Sequence, residues 1–522
     1  MIKKQLIKLY LSRYRVPRQM IRNAFRRYPQ RTALISPRGK LTYQQLEERV
    51  NSLVQGLENA GIAPGDRVFT LLPDDWEQIE VRLASFEVGF VLAPFPVQRT
   101  DQAVLQAARM ASPSVVIFDP DLAGELPEKM RQLFPGIVFL PTGEENAYEK
   151  IISQHQARRS SNRVKPSDPA SLGFTSGTTG EPKALFTNHG VIVSSLKLTA
   201  ANVDIQPGQQ DTFVLGIPLV GAGSGVVLPM LFSGSTLVLP ERYAAEELLT
   251  AFKKYEATRT FLTPSLLIDF LDTRKADLGS LRNVIYGTAP MPVPKLEEAL
   301  RRWGPIFQQG YGMAEVLPPV SLLGMSDHGT REHPAPRDIL RSAGRVVPGV
   351  KVRIVDEDGQ PLPRGEIGEI IIDSPTTFSG YWERPDLNQR VLRDGWYYTR
   401  DLGFFDQEGW LQVLGRRADV IQRDGKRIFP LQVEEAAHDH PAVKEACLVT
   451  GFEENDLILA VSLRKNQQEG VSLPELNSEI LQTMGRSLSP EHLPDQLTIM
   501  PELPRSYLGK VLHREVRENL AP

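Results

Sequence analysis

Short apolar segments alternate with amphipathic helical segments through more than half of this 522-residue chain. The clearest helix runs from Thr42 to Gly61, because Thr42 and Gln45 form a capping box and Gly61 supplies the stop. Further segments are predicted as strands at Val68–Leu72, Val115–Phe118, Ile137–Leu140, Ser171–Phe174, Ser235–Leu239, Thr258–Leu262 and Asn283–Tyr286, and as helices at Asn188–Ala201, Ala244–Lys254 and Val293–Trp303. This alternation is typical of largely parallel sheets that are covered by helices.

The pattern changes near Val320. Short strands separated by turn sequences such as Asp358-Gly359 predict a small antiparallel or barrel-like subdomain. After Gly415, a mixture of helices and strands indicates a separate α+β domain of ordinary size. We therefore predict an α/β fold, with a large N-terminal domain (1–417) of helix-covered, mainly parallel sheets. It includes a β-barrel-like subdomain at about 320–417 and is followed by a small α+β C-terminal domain at 418–522.

Composition limits the partners and the compartment. The formal charge of -3 gives no reason to propose a nucleic acid as partner. The single cysteine, Cys447, excludes an intramolecular disulfide, predicts that no thiolate metal site can be built, and favours a reducing, cytoplasmic compartment. His438 and His440 form the only close histidine pair, and we expect them in a solvated loop.

Two segments raise the question of membrane contact. The basic N-terminus before Glu47 could form a helix on an anionic membrane surface, or a first helix packed on its own domain. The uncharged stretch from Thr212 to Pro240 contains Pro218 and Pro229 and many glycines. We interpret it as strand, loop and strand inside a core rather than as a transmembrane helix.

A loop rich in glycine, hydroxyl groups and lysine follows the predicted strand Ser171–Phe174. Its glycines let backbone N–H groups approach an anion closely, and its hydroxyls and lysine add donors suited to a polyphosphate. A polar surface loop is the alternative interpretation. The candidate phosphate-binding residues are Thr175, Ser176, Gly177, Thr178, Thr179, Gly180 and Lys183.

The string LGFTSGTTGEPKALFTNHG, which contains this loop, resembles the phosphate loop of the adenylate-forming superfamily of acyl-CoA synthetases, peptide-synthetase adenylation domains and luciferases. FRRYPQRTALI, QGYGMAE, WYYTRDLG, GRRADVIQRDGKRIFPLQVEE and PRSYLGKV match in the family's order from about Phe25 to Arg514. The resemblance thus covers nearly the whole chain and rests on several motifs in a fixed order. It also implies a mobile C-terminal domain that rotates between two half-reactions.

The resemblance implies a role for each matching residue. Tyr311 would stack on adenine, Asp401 would hold the ribose hydroxyls, and Arg416 would reach the ribose. Glu315 would hold magnesium, a hard cation that prefers oxygen ligands, and Lys510 would bridge the attacking carboxylate and the phosphates, with Lys183 also catalytic. The remaining residues expected to line the nucleotide are Gly287, Thr288, Ala289, Pro290 and Gly312.

Several positions depart from the family's pattern. Ala314 replaces a threonine, Ala418 stands at a hinge position, Arg400 stands where glycine is common, and Gln422 where lysine is common. The acyl pocket is expected at Val220, Gly221, Ala222, Gly223 and Ser224, where small apolar residues would leave room for a long or bulky acid. Gly425 and Lys426 are expected on the side where a thiol such as CoA enters.

These observations predict a magnesium- and ATP-dependent ligase that activates an apolar carboxylic acid as an acyl-adenylate and transfers it to CoA, as in fatty acid metabolism. One alternative is a ligase that loads a separate acyl-carrier protein or forms an amide. A second alternative is a non-catalytic nucleotide-binding homologue. The joint presence of Lys183, Glu315, Asp401, Arg416 and Lys510 argues against the second.

Overall fold

The computed structural model describes residues 11–96, 99–143, 147–176, 182–273, 275–452, 456–464 and 472–521. The first strands are β1 Thr32–Ser36, β2 Gly39–Thr42, β3 Arg67–Leu71, β4 Val91–Pro94, β5 Val115–Phe118, β6 Val138–Pro141, β7 Pro169–Ser176, β8 Pro182–Asn188, β9 Thr212–Gly216, β10 Thr236–Val238, β11 Arg259–Leu262, β12 Asn283–Gly287 and β13 Phe307–Tyr311. The later strands are β14 Ser321–Leu323, β15 Arg345–Val346, β16 Lys351–Val355, β17 Gly368–Asp373, β18 Gly380–Tyr381, β19 Leu392–Arg393, β20 Trp396–Phe405, β21 Leu411–Arg416, β22 Ile421–Arg423, β23 Lys426–Ile428, β24 Val443–Thr450, β25 Leu457–Leu463 and β26 Gln496–Ile499.

Six of the described α-helices begin at a residue whose side chain accepts a hydrogen bond from an N–H group of the first turn. Thr42 and Gln45 form the predicted capping box at the start of the longest of them. The helices are α1 Pro17–Arg27, α2 Tyr43–Asn59, α3 Trp76–Val88, α4 Asp101–Ala111, α5 Pro120–Ala123, α6 Leu126–Leu133, α7 Ala147–Gln154, α8 His189–Asn202, α9 Ser224–Ser233, α10 Ala245–Lys254, α11 Pro264–Asp272, α12 Val293–Trp303, α13 Arg337–Arg341, α14 Pro385–Val391, α15 Pro430–Ala437, α16 Leu473–Met484 and α17 His513–Asn519.

Two large sheets form the body of the molecule. The first has the order β18-β8-β7-β4-β3-β5-β6 and the second β15-β14-β13-β12-β11-β9-β10-β1-β2. Their central strands pair in parallel, and the edge strands β18, β15 and β2 pair antiparallel, whereas the edge strand β6 pairs in parallel with β5. Helices α1, α2, α3, α8 and α9 contribute buried apolar side chains to one core shared with both sheets. The predicted mainly parallel, helix-covered architecture is therefore confirmed.

The β-rich region is an antiparallel five-stranded sheet of β16, β17, β19, β20 and β21. Beyond it, β22 and β23 form a hairpin, and β24, β25 and β26 form a three-stranded sheet with its own core beneath α15 and α16. The predicted small α+β domain at the C-terminus is therefore confirmed as part of the fold. The domain boundary at 417/418 stays a prediction.

Three local features bear on the expectations from the sequence: the uncharged stretch, the histidine pair and the basic N-terminal segment. The middle of Thr212–Pro240 is helical rather than a loop, since α9 continues through Pro229. His438 and His440 are buried rather than solvated, and burial lowers the pKa of His438 to about 3. Residues 1–10 of the basic N-terminal segment lie outside the described residues, whereas Leu11 and Tyr14 are buried against the protein's own core. None of the described helices is both long and apolar enough to cross a membrane.

Candidate active site

The predicted adenine-binding segments lie where two parallel strands end side by side. β12 ends at Gly287 and pairs with β13 in a register that sets Gly287 opposite Gly310. A methyl group on Gly287 would lie 2.7 Å from Gly310 O, so this close approach requires glycine. Thr288 follows with φ at +73°, and its buried hydroxyl oxygen has no hydrogen-bond partner among the described residues. Ligands commonly bind at the carboxyl ends of such strands.

Tyr311, Asp401 and Arg416 form one connected group at this edge. The Tyr311 hydroxyl donates to Asp401 Oδ2 at 2.7 Å, and Arg416 Nε lies 2.8 Å from Asp401 Oδ1. Asp401 and Arg416 face each other because β20 and β21 pair in that register. Burial raises the pKa of Asp401, while Arg416 and Tyr311 oppose this shift. Each carboxylate oxygen of Asp401 is therefore held in place by one protein partner.

Glu315 and Lys183 meet at Tyr381. The Tyr381 hydroxyl donates to Glu315 Oε1 at 3.0 Å, and Lys183 Nζ lies 5.4 Å from the centre of the Tyr381 ring. β18 places Tyr381 there by pairing antiparallel with β8, the strand that carries Lys183. Sequence reasoning missed Tyr381, because it lies outside the quoted motifs and its contact with Glu315 depends on the pairing of distant strands.

Lys510 reaches the same cleft from the C-terminal domain. The turn that carries it is closed by Ser506 N–H donating to Lys510 O at 2.8 Å. Ser265, at the start of α11, donates its hydroxyl to Gly509 O at 2.9 Å and so docks the turn on the N-terminal domain. Desolvation lowers the pKa of Lys510 and the charge of Arg416 lowers it further, whereas Asp401 and Glu315 oppose this shift. Its side chain still reaches solvent.

The cleft carries an excess of positive charge. Desolvation lowers the pKa of Lys183, and the nearby Arg400 lowers it further, whereas Glu315 opposes this shift. Arg400 has a left-handed backbone with φ at +63°, and its N–H donates to Glu369 Oε1 at 2.9 Å. That left-handed conformation explains why glycine suits this position. Cations in a concave site favour an anionic ligand such as a polyphosphate.

The predicted phosphate loop is described only at its ends. β7 and β8 pair so that Thr175 lies opposite Lys183 and Ser176 opposite Pro182. Both ends of the loop are therefore held beside the cleft. Residues 177–181, which include the predicted Gly177, Thr178, Thr179 and Gly180, lie outside the described residues.

The predicted acyl segment faces the turn that carries Lys510. Val220 and Gly223 are buried, and Gly221 has φ at +100°. A methyl group on Gly221 would lie 3.3 Å from the Tyr507 hydroxyl, whereas one on Gly223 would lie 2.4 Å from Pro218 O. Gly223 is therefore small because the backbone packs closely there. Ala222 and Ser224 are partly exposed.

The predicted thiol-side residues are not brought to this cluster. Gly425 and Lys426 lie at the turn between β22 and β23, and Lys426 Nζ lies 2.6 Å from Glu491 Oε1. That ion pair holds Lys426 within the C-terminal domain.

The model of the AMP-binding enzyme family matches residues 21–382. The chain belongs to the AMP-binding enzyme family. The match runs from α1 through the strand that carries Tyr381 and includes Lys183, Tyr311 and Glu315. The family predicted from the motifs is therefore confirmed.

The relatives are ligases of several acids. The chain is 30% identical over 507 residues to a feruloyl-CoA synthase from an Amycolatopsis species, covering 94% of this chain and 98% of the relative. It is 27% identical over 515 residues to a medium/long-chain-fatty-acid–CoA ligase of Mycobacterium tuberculosis, covering 95% and 88%. It is 28% identical over 506 residues to a fatty acid–[acyl-carrier-protein] ligase of Streptomyces coeruleorubidus, covering 94% and 93%.

A solved structure shares the fold over nearly the whole chain. The amide bond synthetase McbA from Marinactinospora thermotolerans superposes with a TM-score of 0.84 and 26% identity, over 97% of this chain and 100% of that chain. The predicted fold and the predicted class of acyl-CoA-synthetase-like enzyme are confirmed. The acids in the relatives' names differ.

Proposed function

We propose that this protein activates an apolar carboxylic acid with ATP, releasing pyrophosphate, and then transfers the acyl group to the thiol of CoA. In the first step, a carboxylate oxygen attacks the α-phosphorus of ATP, and the bond to the β-phosphate breaks. In the second step, the thiolate attacks the acyl carbon and AMP leaves. The observation that carries this proposal is a site in which Tyr311 and Arg416 hold the Asp401 carboxylate and Ser265 docks the turn of Lys510 on the N-terminal domain.

The charges in the cleft support the first step. A carboxylate and a triphosphate repel each other, so the step needs cations at the attacking oxygen and at the leaving pyrophosphate. Lys510 would provide the cation at the attacking oxygen, and Lys183 would provide the cation at the leaving pyrophosphate. Because Ser265 holds the Lys510 turn, the lysine is positioned before substrate arrives, which lowers the entropic part of the barrier.

Glu315 fits a magnesium ion bound together with the phosphates. Magnesium is commonly held by one or two carboxylates and by substrate phosphates. The Tyr381 hydroxyl orients the Glu315 carboxylate, and Lys183 lies on the same side of the cleft. When bound, the ion would neutralise charge on the phosphates.

For the nucleoside, we propose that Asp401 and Arg416 bind the ribose and that Tyr311 lies against the adenine. The existing bonds of Asp401 to Tyr311 and Arg416 fix the orientation of the carboxylate. We propose that the base lies along 287–290 and 312, and that the unpartnered Thr288 hydroxyl is available to a ligand. Gly425 and Lys426 remain proposed contacts of the thiol substrate in a rotated state.

The acid class rests on the acyl segment. Leu219 and Val220 are buried and Gly221 and Ala222 bear no polar side chain, which suits an apolar acid. The names of the relatives span fatty and aromatic acids, and both are apolar. A second candidate function is transfer to an acyl-carrier protein or an amine, because a relative and a structural neighbour bear those names.

The test is pyrophosphate release with ATP, magnesium and a panel of fatty, aryl and amino acids, with and without CoA. We expect release that depends on an apolar acid, with formation of the acyl-CoA. Lys510→Ala should abolish the first step, whereas Lys351→Ala should not, because Lys351 is exposed and paired with Asp373 in the antiparallel sheet. Formation of acyl-AMP that CoA does not discharge would favour the second candidate. No release with any acid would overturn the proposal.

A further inference from the structure

A cysteine, a histidine and a glutamate meet in the C-terminal domain, away from the cleft. Glu434 lies on α15, Cys447 on β24 and His513 at the start of α17. One donor atom from each lies within 4.8 Å of the other two. Within the residues that the structure describes, no other group of three His, Cys, Asp or Glu donors is close enough to share an ion.

The group is already ordered. His513 Nε2 and Glu434 Oε1 are 2.9 Å apart, and the Leu448 N–H donates to the same carboxylate oxygen at 2.9 Å. This backbone contact fixes the carboxylate from outside, as the second shell of a metal site does. Cys447 is fully buried, Glu434 is partly buried, and the His513 side chain is 42% exposed, which provides a path from solvent.

The donor set indicates which ion would bind. Zinc binds thiolate sulfur at about 2.3 Å, imidazole nitrogen at about 2.0–2.1 Å and carboxylate oxygen at about 2.0–2.2 Å, which sets tetrahedral donors roughly 3.3–3.8 Å apart. Donors within 4.8 Å therefore need only small side-chain movements to reach that spacing. A set with sulfur and nitrogen selects against magnesium and calcium, which prefer oxygen alone.

We propose that Glu434, Cys447 and His513 form a binding site for Zn²⁺, with a water molecule as fourth ligand. On binding, the thiol and the imidazole give up their protons to solvent, and the three side chains coordinate the ion. From the single cysteine we predicted that no thiolate metal site could be built. The proposed site differs from that prediction, because a site with mixed ligands needs only one thiolate. The ion would hold α15, β24 and α17 together. Because His513 lies three residues after Lys510, the ion would also restrict the motion of the segment that carries this lysine.

The test uses the full chain, freed of metal, and Co²⁺ as a spectroscopic probe for the Zn²⁺ site. We expect one Co²⁺ per chain, with an intense thiolate-to-cobalt charge-transfer band and visible bands of tetrahedral strength, both lost on adding Zn²⁺. Cys447→Ser should remove the charge-transfer band. Glu434→Gln should weaken binding by about 10-fold or more, since even outer-shell changes cost that much.

His492→Ala is the matched control, because His492 lies in another turn of the same domain, bonded to Ser489. It should leave Co²⁺ binding unchanged. The melting temperature of the wild-type chain should also rise with Zn²⁺ concentration, because an ion that binds the folded state stabilises it. The absence of a charge-transfer band in the wild type would overturn the proposal, and so would a band that survives in Cys447→Ser.

Discussion

Arg464 joins the C-terminal domain to the N-terminal domain, and its removal should slow acyl-adenylate formation selectively. Its Nη2 donates to Glu298 Oε2 at 2.8 Å on α12. Its Nε lies 2.9 Å from Asp272 Oδ1 at the end of α11. The two groups form an ion pair, but the angle between them does not suit a hydrogen bond. α11 is also the helix on which the Lys510 turn docks through Ser265. Arg464 therefore stabilises the arrangement in which Lys510 faces the cleft.

The size of the effect follows from burial. The Arg464 side chain is 19% exposed, its hydrogen-bond partner Glu298 is 36% exposed and its ion-pair partner Asp272 is 12% exposed, so these interactions are only partly screened by water. A hydrogen bond to a charged partner contributes about 1.5–3 kcal/mol. Each 1.4 kcal/mol is a tenfold change, so Arg464→Ala should lower the ratio of docked to undocked molecules by roughly 10- to 150-fold. The loss applies only to the step that uses Lys510.

The assay separates the two half-reactions. Pyrophosphate release without CoA reports the first, and acyl-CoA formation from supplied acyl-adenylate reports the second. Arg464→Ala should slow the first by at least about 10-fold and leave the second unchanged. The control is Arg337→Ala, which also removes an interdomain pair, with Asp439, but at a side chain that is 47% exposed.

Exposed pairs contribute about 0–1 kcal/mol, so the control should slow the first step less than about fivefold. Thermal unfolding of both variants would check that each is folded. An equal loss in both half-reactions, or an equal effect of the two variants, would contradict a role of Arg464 in docking the C-terminal domain.

Three further predictions concern single contacts. Tyr381→Phe removes the hydrogen bond to Glu315, so the KM for magnesium–ATP should rise about 10-fold, and an unchanged KM would rule out a role in orienting that carboxylate. Gly223→Ala forces a methyl group within 2.4 Å of Pro218 O and should destabilise the fold by about 1–3 kcal/mol in thermal or urea unfolding; an unaltered midpoint would contradict the close packing. Burial raises the pKa of Asp74 from 3.8 to about 6. The free energy of unfolding of the wild type should therefore fall relative to that of Asp74→Asn as pH rises from about 4 through about 6. If the two unfolding free energies change with pH in parallel, the shift is disproved.

Proton linkage at Asp74 determines whether stability rises or falls with pH. Between the unfolded and folded pKa values, the folded chain holds a proton on Asp74 that the unfolded chain has released. The stability from this group is therefore complete at low pH and declines as pH rises through about 6. Asp74→Asn has no such proton, and the difference between the two curves isolates the contribution of this carboxyl.

Local sequence patterns sufficed for many elements. Val115–Phe118 and Val293–Trp303 have the predicted bounds, because apolar periodicity and capping residues act within a few positions. The uncharged stretch around α9 was predicted wrongly as a loop between strands. A segment buried on all sides shows no periodicity, so its sequence does not distinguish helix from strand or loop.

Motif chemistry indicated the candidate site residues, but contacts between distant segments determine which of them meet. Lys183, Glu315 and Lys510 lie on distant segments, and Tyr381 enters their cleft through the pairing of β18 with β8. Gly425 belongs to the same set of motifs but lies elsewhere, in a hairpin. Loop geometry and domain docking set these distances.

Residue chemistry and local periodicity are therefore properties that the sequence alone determined for this protein. Contacts between distant segments are not. Glu434, Cys447 and His513 have no shared motif and come together only because α15 and α17 both pack against β24. The burial of His438 and His440 has the same origin, since a side chain is desolvated by whatever packs over it. Such packing depends on the whole core, and short stretches of sequence do not encode it.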